Sequence, residues 1–443
     1  MDFPRCTSYQ ENPYYEESLE LTELSFQPVW KDSRFSNSEE IMSEINLSSS
    51  SGAFKRFGYK TKKDCFLCSV FLAYLSNYFV NPKAPLWRIV DKVEWSSATD
   101  IDNSKVRTFI MSPPCFLYYQ KFFYSHQNSS IVNHPWSAYG FNPYYGGVQS
   151  LAIYLGSDEE RYFIEYDVKG WDRKIPVLPE VYDLRHSFLP ETDIDQFMID
   201  SICRPCCIDP SGLIFQRETG NNSGSNNTTP DNICAHIICL NLILLDLFKG
   251  DRNLVRGVRA KLFGDDAIIS IPKSSISEIG AIEETFKRVF FSLGLDLDPF
   301  IVQTSLEGLG FLGFKFYKRL DNWLPLYDLS RLSTAFCYSI EKMDDDMSLS
   351  KAYSLTVMSY PHGEVVYNRF RAALLFYFYH FQNLGKTNPF DDLSFDDLIY
   401  FYGGKEVGGI KKKNCMKELL AQNQFSISSL LTGKSSLPRN HFF

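Results

Sequence analysis

LFGDDAIISI, residues 262–271, sets two adjacent carboxylates, Asp265 and Asp266, between two short apolar runs. Runs of Leu, Phe and Ile this short, broken by Gly-Asp, read as strand–turn–strand. Gly264 permits the tight backbone at the break, and the turn exposes both acids at the edge of a sheet. Side by side, the two repel each other unless a counter-charge is present. Hard carboxylate oxygens suit Mg²⁺. Taken alone, the segment reads equally as a polar β-turn, for which Asp and Gly are common.

Upstream, Tyr162, Ile164 and Tyr166 alternate along a strand from Arg161 that ends at Asp167, and Asp172 follows in a D-x4-D spacing. Between these acids and the 265–266 pair lies NNSGSNNTTPDN, residues 221–232, with a flexible glycine, hydroxyl pairs and several amides. Thr229 is a good helix cap and Pro230 suits a first helical position. Ile233, Ile237, Leu240, Leu244 and Leu247 then recur at the spacing of one buried helix face. The loop's polar groups can hydrogen-bond a ribose and track a nucleic-acid backbone. In isolation they equally make a solvated loop with a helix cap.

Further out the patterns are plainer. The first fifty residues read as polar and irregular, Cys65 to Val80 as a core helix, Lys105 to Ile110 as a strand and Leu117 to Tyr124 as a helix with an aromatic face. Asn142 to Ser150 reads as a loop, and Pro190 to Gln216, with its CRPCC cluster, as a long irregular insert. A helix is expected around Ile279 to Phe291, a Gly-rich hairpin from Gly308 to Phe316, and a helix from Val365 to Phe381. This order of elements is that of an α+β protein.

The 443 residues suggest two or three lobes, and 44% hydrophobic with 22% charged residues is normal for a well-cored soluble protein. Aromatics reach 16%, which supplies large buried area. A net charge of −8 weighs mildly against nucleic-acid binding, although a basic channel can sit inside an acidic shell. Eleven irregularly spaced cysteines make no disulfide framework, the polar start makes no signal peptide, and no run reaches the ~18 apolar residues of a membrane span. The pairs Cys65/Cys68 and Cys203/Cys206 read as small packed hydrophobes before they read as zinc ligands. The seven histidines form no H-E-x-x-H pattern, so histidine-based metal hydrolysis has no support.

D-x4-D, then S-G-x3-T-T-x2-N, then GDD, in this order, resembles motifs A, B and C of the picornavirus-like supergroup of viral RNA-dependent RNA polymerases. The TT-x2-N form is most similar to astrovirus-type enzymes. FLGFKF (311–316) resembles motif E, KVR (105–107) motif F, and Ser51-Gly52 followed by KRFGYKTKK motif G, so the likeness runs from about Ser51 to Phe316. It implies a right-hand α+β fold of fingers, palm and thumb, with an antiparallel palm sheet flanked by helices. The implied boundaries are 1–160 for the N-terminal segment and fingers, 161–186 for palm motif A, and 187–222 for a fingers insert. Palm motifs B to E then occupy 223–340, and the thumb and tail 341–443.

Carried over residue by residue, the resemblance implies that Asp167, Asp265 and Asp266 hold Mg²⁺, with Mn²⁺ as a substitute, and are catalytic. Asp172, Ser223, Thr228 and Asn232 would read the ribose 2′-hydroxyl, Lys105 and Arg107 would meet the triphosphate, and Ser51, Gly52 and Gly224 would contact RNA. The implied partners are an RNA template and nascent strand, nucleoside triphosphates, and a protein primer or other viral replication proteins. The implied place is the host cytoplasm, at replication complexes. A reverse transcriptase shares the palm and its aspartates but has no need of the Ser, Thr and Asn set. A non-catalytic RNA-binding scaffold has no need of intact carboxylates. One feature departs from the family pattern: no Lys, Arg or His occurs from Val289 to Phe314, where a basic residue usually protonates the leaving pyrophosphate.

Overall fold

The computed structural model describes residues 6–92, 108–192, 195–339, 343, 345–382 and 398–403. Lys105 and Arg107 lie outside them. The chain divides into two compact units, the first comprising Met1–Tyr139, Tyr166–Ala267 and Ser274–Phe300, and the second Gly140–Glu165, Ile268–Lys273 and Ile301–Phe443.

The strands are β1 (Leu86–Asp91), β2 (Thr108–Met111), β3 (Arg161–Lys169), β4 (Cys206–Ile208), β5 (Ile214–Gln216) and β6 (Arg259–Phe263). They continue as β7 (Asp266–Pro272), β8 (Asp296–Gln303), β9 (Gly310–Phe311), β10 (Phe314–Arg319) and β11 (Asn322–Tyr327). Among the described residues three sheets result, with strand orders β2-β1-β4-β5, β6-β7-β3-β8 and β11-β10-β9. The expected α+β class with antiparallel pairing is what the chain forms, although β1 and β4 pair in parallel.

In the first unit the helix Thr228–Leu247 starts two residues earlier than expected, with Asn227 rather than Thr229 as its cap and Pro230 third. The amide that proline lacks is one of the four that a helix start leaves unbonded. The expectation of a single buried face is corrected: every residue from Pro230 to Asp246 is buried. Its polar members are matched, Asp231 by Arg185 and Asn241 by Thr22, so enclosure on all sides leaves them paired. By length and composition this helix could cross a membrane, but nearly all of it is packed inside the protein.

Three further expectations are overturned in this unit. The N-terminal stretch is not irregular, because Tyr15–Trp30 is a helix with Ser18, Thr22, Phe26 and Trp30 buried along one stripe. Two of those four are polar and escape a hydrophobicity pattern. Their hydroxyls are donated to the Tyr15 and Ser18 carbonyls one turn back, which makes burial affordable. The 190–216 insert is likewise ordered: Asp195–Cys203 is helical, and the three-residue strands β4 and β5 extend the sheet that β1 begins. Trp87 on β1 donates its indole N–H to the Ser201 carbonyl. The helix expected from Cys65 to Val80 is broken at Leu67, leaving Cys65 on Lys62–Phe66 and Cys68 ahead of Ser69–Val80.

In the second unit the stretch expected as a loop from Asn142 gives way to a helix, Gly147–Leu155. The expected hairpin forms as β9 and β10 around Leu312 and Gly313, both at positive φ, and β11 adds a third strand. Arg161, buried, donates to both the hydroxyl and the carbonyl oxygen of Ser270.

Candidate active site

The geometry starts from one ladder. Lys273 N–H, just past the end of β7, donates to the Glu160 carbonyl just before β3, so these neighbours run antiparallel. Counted from that bond, Asp266 on β7 and Asp167 on β3 lie equally far along, which brings the two acids to the same sheet edge. The turn Gly264–Asp265 separates β6 from β7, and Gly264 has φ +68°, the left-handed value expected there.

Asp167 is pushed above the ordinary carboxylate range, first by partial burial and then by the nearby Asp298 carboxylate. Asp298 itself meets Lys169 Nζ at 2.5 Å, and Lys174 Nζ lies 3.2 Å from Asp296, so the chain after Asp167 is tied to β8.

On the helix, Asn232 donates its amide to Asp172 Oδ1 at 2.7 Å. Asn221 Nδ2 donates in turn to Asn232 Oδ1 at 2.9 Å, and the Asn221 backbone N–H bonds the Asp172 carbonyl at 2.8 Å. Asn221 is a site residue that sequence reasoning passed over, and its only local signal was membership in a run of amides. Ser223 Oγ accepts the Ile110 N–H of β2, and Gly224 runs beside Met111 as an isolated bridge. A side chain at 224 would place its first carbon 2.1 Å from the Ile110 carbonyl oxygen, so only glycine fits. Thr228 meets this network through its carbonyl, which accepts from the Asn221 side-chain amide at 3.1 Å. Its hydroxyl is donated to the Asn222 and Ser225 carbonyls and closes the loop on itself.

Ser51 is buried with its hydroxyl donated to the Tyr59 carbonyl, and Arg88 Nη1 caps the Gly52 carbonyl. This pair shapes the turn, while the exposed cations Lys55, Arg56 and Lys60 follow it.

The family profile for viral RNA-dependent RNA polymerase matches residues 15–381. The chain belongs to that family. It is 25% identical over 341 residues to non-structural polyprotein 1AB of Turkey astrovirus 1, covering 71% of this chain and 21% of that protein. Against the same polyprotein of Ovine astrovirus 1 the identity is 23% over 373 residues, 78% of this chain and 27% of the relative. The genome polyprotein of Brome streak virus (strain 11-Cal) is 26% identical over 304 residues, 65% and 9% respectively. The chain therefore spans about a fifth of the length of the first of these relatives.

For a polymerase of this family, the hard carboxylate oxygens at the sheet edge fit a divalent cation: Asp167 is raised by partial burial and by Asp298, and Asp266 stands across from it. Among the described residues no three His, Cys, Asp or Glu side chains gather closely enough to hold an ion by themselves. Lys169 is the second residue that sequence reasoning missed. It sets an ammonium against Asp298, inside the stretch from Val289 to Phe314 that lacks any basic residue of its own.

Proposed function

We propose that this chain is the RNA-dependent RNA polymerase of a positive-strand RNA virus, extending an RNA 3′ end with ribonucleotides on an RNA template in the host cytoplasm. The observation that carries this reading is the Asn232–Asp172 bond beside the carboxylate edge. A carboxylate held by an amide presents a fixed acceptor for a ribose hydroxyl, the group that separates RNA from DNA building blocks. We assign Asp167, Asp265 and Asp266 as the residues that would hold Mg²⁺. When bound, two such ions activate the attacking 3′-hydroxyl and steady the leaving pyrophosphate. Asp172, Asn232 and Asn221 hold the sugar, Ser223 and Gly224 line its loop, and Lys169 adds positive charge near the triphosphate, a task shared with Lys105 and Arg107. Thr228 serves by shaping the loop. The turn at Ser51 and Gly52 offers its following cations to the RNA backbone.

In this reading, residues 1–160 and 187–222 supply the N-terminal segment and fingers, 161–186 and 223–340 the palm, and 341–443 the thumb and tail. Template, nascent strand and nucleoside triphosphates are the partners, with a protein primer or other replication proteins of the same virus completing the complex. The deciding experiment is Mg²⁺-dependent nucleotide incorporation on a homopolymer RNA template, with and without primer. Asp167→Ala and Asp265→Ala should each abolish it while leaving the circular-dichroism spectrum unchanged. Near-normal incorporation by either folded variant would overturn the site assignment, and a preference for deoxyribonucleotides would point to a reverse transcriptase.

A further inference from the structure

His236 sits within the buried helix Thr228–Leu247 and has no part in the sugar or metal assignments above. It is fully buried, and its two ring nitrogens reach two different segments of the carboxylate edge. Nδ1 lies 2.9 Å from the Gly264 carbonyl oxygen, and Nε2 lies 2.5 Å from the Tyr166 hydroxyl. Gly264 immediately precedes Asp265, and Tyr166 immediately precedes Asp167. The Trp171 ring, next to Asp172, packs 5.0 Å from the imidazole.

The bonding pattern fixes the proton. A carbonyl oxygen only accepts, so Nδ1 carries the hydrogen and donates to Gly264. Burial pushes the imidazole down to about 4, so the ring is neutral near pH 7 and Nε2 is an acceptor. Tyr166 O–H therefore donates to it. The tyrosine is held in turn by edge contacts of its ring with Phe286 and Phe290 and by stacking on Phe300. Each polar atom of the relay is satisfied once, and each bond ends on a residue adjacent to a carboxylate. A buried neutral imidazole needs a partner at each nitrogen, as His134 also has in Ser25 and the Trp136 N–H. What sets His236 apart is where its partners lie, on the two segments that carry the carboxylates.

We propose that His236 is a positioning residue that sets the spacing between Asp167 and the Asp265–Asp266 pair, and so tunes how tightly the polymerase takes up a divalent cation. The inference rests on the carboxylate assignment made above. It concerns geometry: no proton moves along the relay during nucleotide addition. Cutting either bond leaves the acids in place but lets their segments drift, and a cation shell tolerates little drift.

The test is Mn²⁺ binding to the full-length chain, read by electron paramagnetic resonance without RNA or nucleotide, so that no turnover is involved. Tyr166→Phe and His236→Asn both remove the Tyr–His bond. The asparagine amide keeps a donor in reach of the Gly264 carbonyl. Each should weaken Mn²⁺ binding by at least ~5-fold, the lower end for a lost buried hydrogen bond. The Tyr166→Phe/His236→Asn double variant should be no weaker than either alone, because both delete one interaction. His236→Leu, which cuts both bonds, should be weaker still; should it fail to fold, the other variants carry the test. Asp167→Asn is the control. If it leaves Mn²⁺ binding intact, the carboxylate assignment itself is wrong. If it weakens binding while folded Tyr166→Phe and His236→Asn stay within twofold of the parent, the positioning role is refuted and His236 only packs the core.

Discussion

Replacing Asn232 with alanine isolates the bond that holds Asp172. Asn232 is 5% exposed, and its amide donates to a carboxylate oxygen at 2.7 Å. Hydrogen bonds to charged groups are worth about 1.5–3 kcal/mol, against about 0.5–1.5 kcal/mol for neutral ones. With the amide gone, Asp172 keeps its charge but loses the partner that fixes its direction, and the Asn221 amide loses its acceptor on Asn232. If that energy is spent on orienting Asp172 toward the ribose, the preference for ribo- over deoxyribonucleotides should fall by roughly 10- to 150-fold. Asn221→Ala removes neutral bonds alone, to Asn232 Oδ1 and to the Thr228 carbonyl, and its effect through Asn232 should be roughly 2- to 12-fold. The assay is single-nucleotide incorporation, with kcat/KM for ATP divided by that for dATP. The two variants should rank in that order while extension with dATP is nearly unaffected. An unchanged ratio in folded Asn232→Ala would show that Asp172 does not meet the sugar and that Asn232 merely begins the helix.

Three further outcomes follow from the structure. Lys287 is engaged by Glu283 and Arg288 by Asp246, so neither is placed as the missing general acid, and Lys315 lies on β10. Leucine at any of the three should slow single-turnover incorporation less than about tenfold, and a hundredfold drop with nucleotide binding intact would identify the acid after all. Burial holds His134 down to about 3 and His236 to about 4, below the 6.5 of an unfolded chain. The unfolded state therefore binds more protons below pH 6.5, and stability should fall from there toward pH 4 by about 3 kcal/mol for His236 alone, as read by urea midpoints. A midpoint flat across that window would mean that the imidazoles are hydrated. Arg185→Met strands the buried Asp231 carboxylate, 2.7 Å from the guanidinium, and should destabilise the chain by about 3–5 kcal/mol in a denaturant titration. A loss below about 1 kcal/mol would show that water reaches that pair.

Local chemistry carried a large part of the reading. A glycine with an acid between two apolar runs can do little except turn, and the turn stands at Gly264–Asp265. Alternation over Tyr162, Ile164 and Tyr166 needs only the pleat of one strand to bring Asp167 near its end, while the bonded pair Asn232 and Asp172 was grouped only by the resemblance to the polymerase motifs. What tertiary structure decided are the partnerships that no window of sequence contains. The helix Tyr15–Trp30 hides behind a stripe half made of Ser and Thr, which is buried because their hydroxyls bond their own backbone. Strands β4 and β5 are three residues each, too short for a period, and exist because β1 offers its edge from more than a hundred residues away. Enclosure of Thr228–Leu247 on every side depends on which elements cover its polar positions, as Arg185 covers Asp231 and Thr22 meets Asn241. His236 shows the division within one residue: its place on a helix was legible, but its two bonds, to Tyr166 and Gly264, exist only once strands far apart in the chain lie side by side.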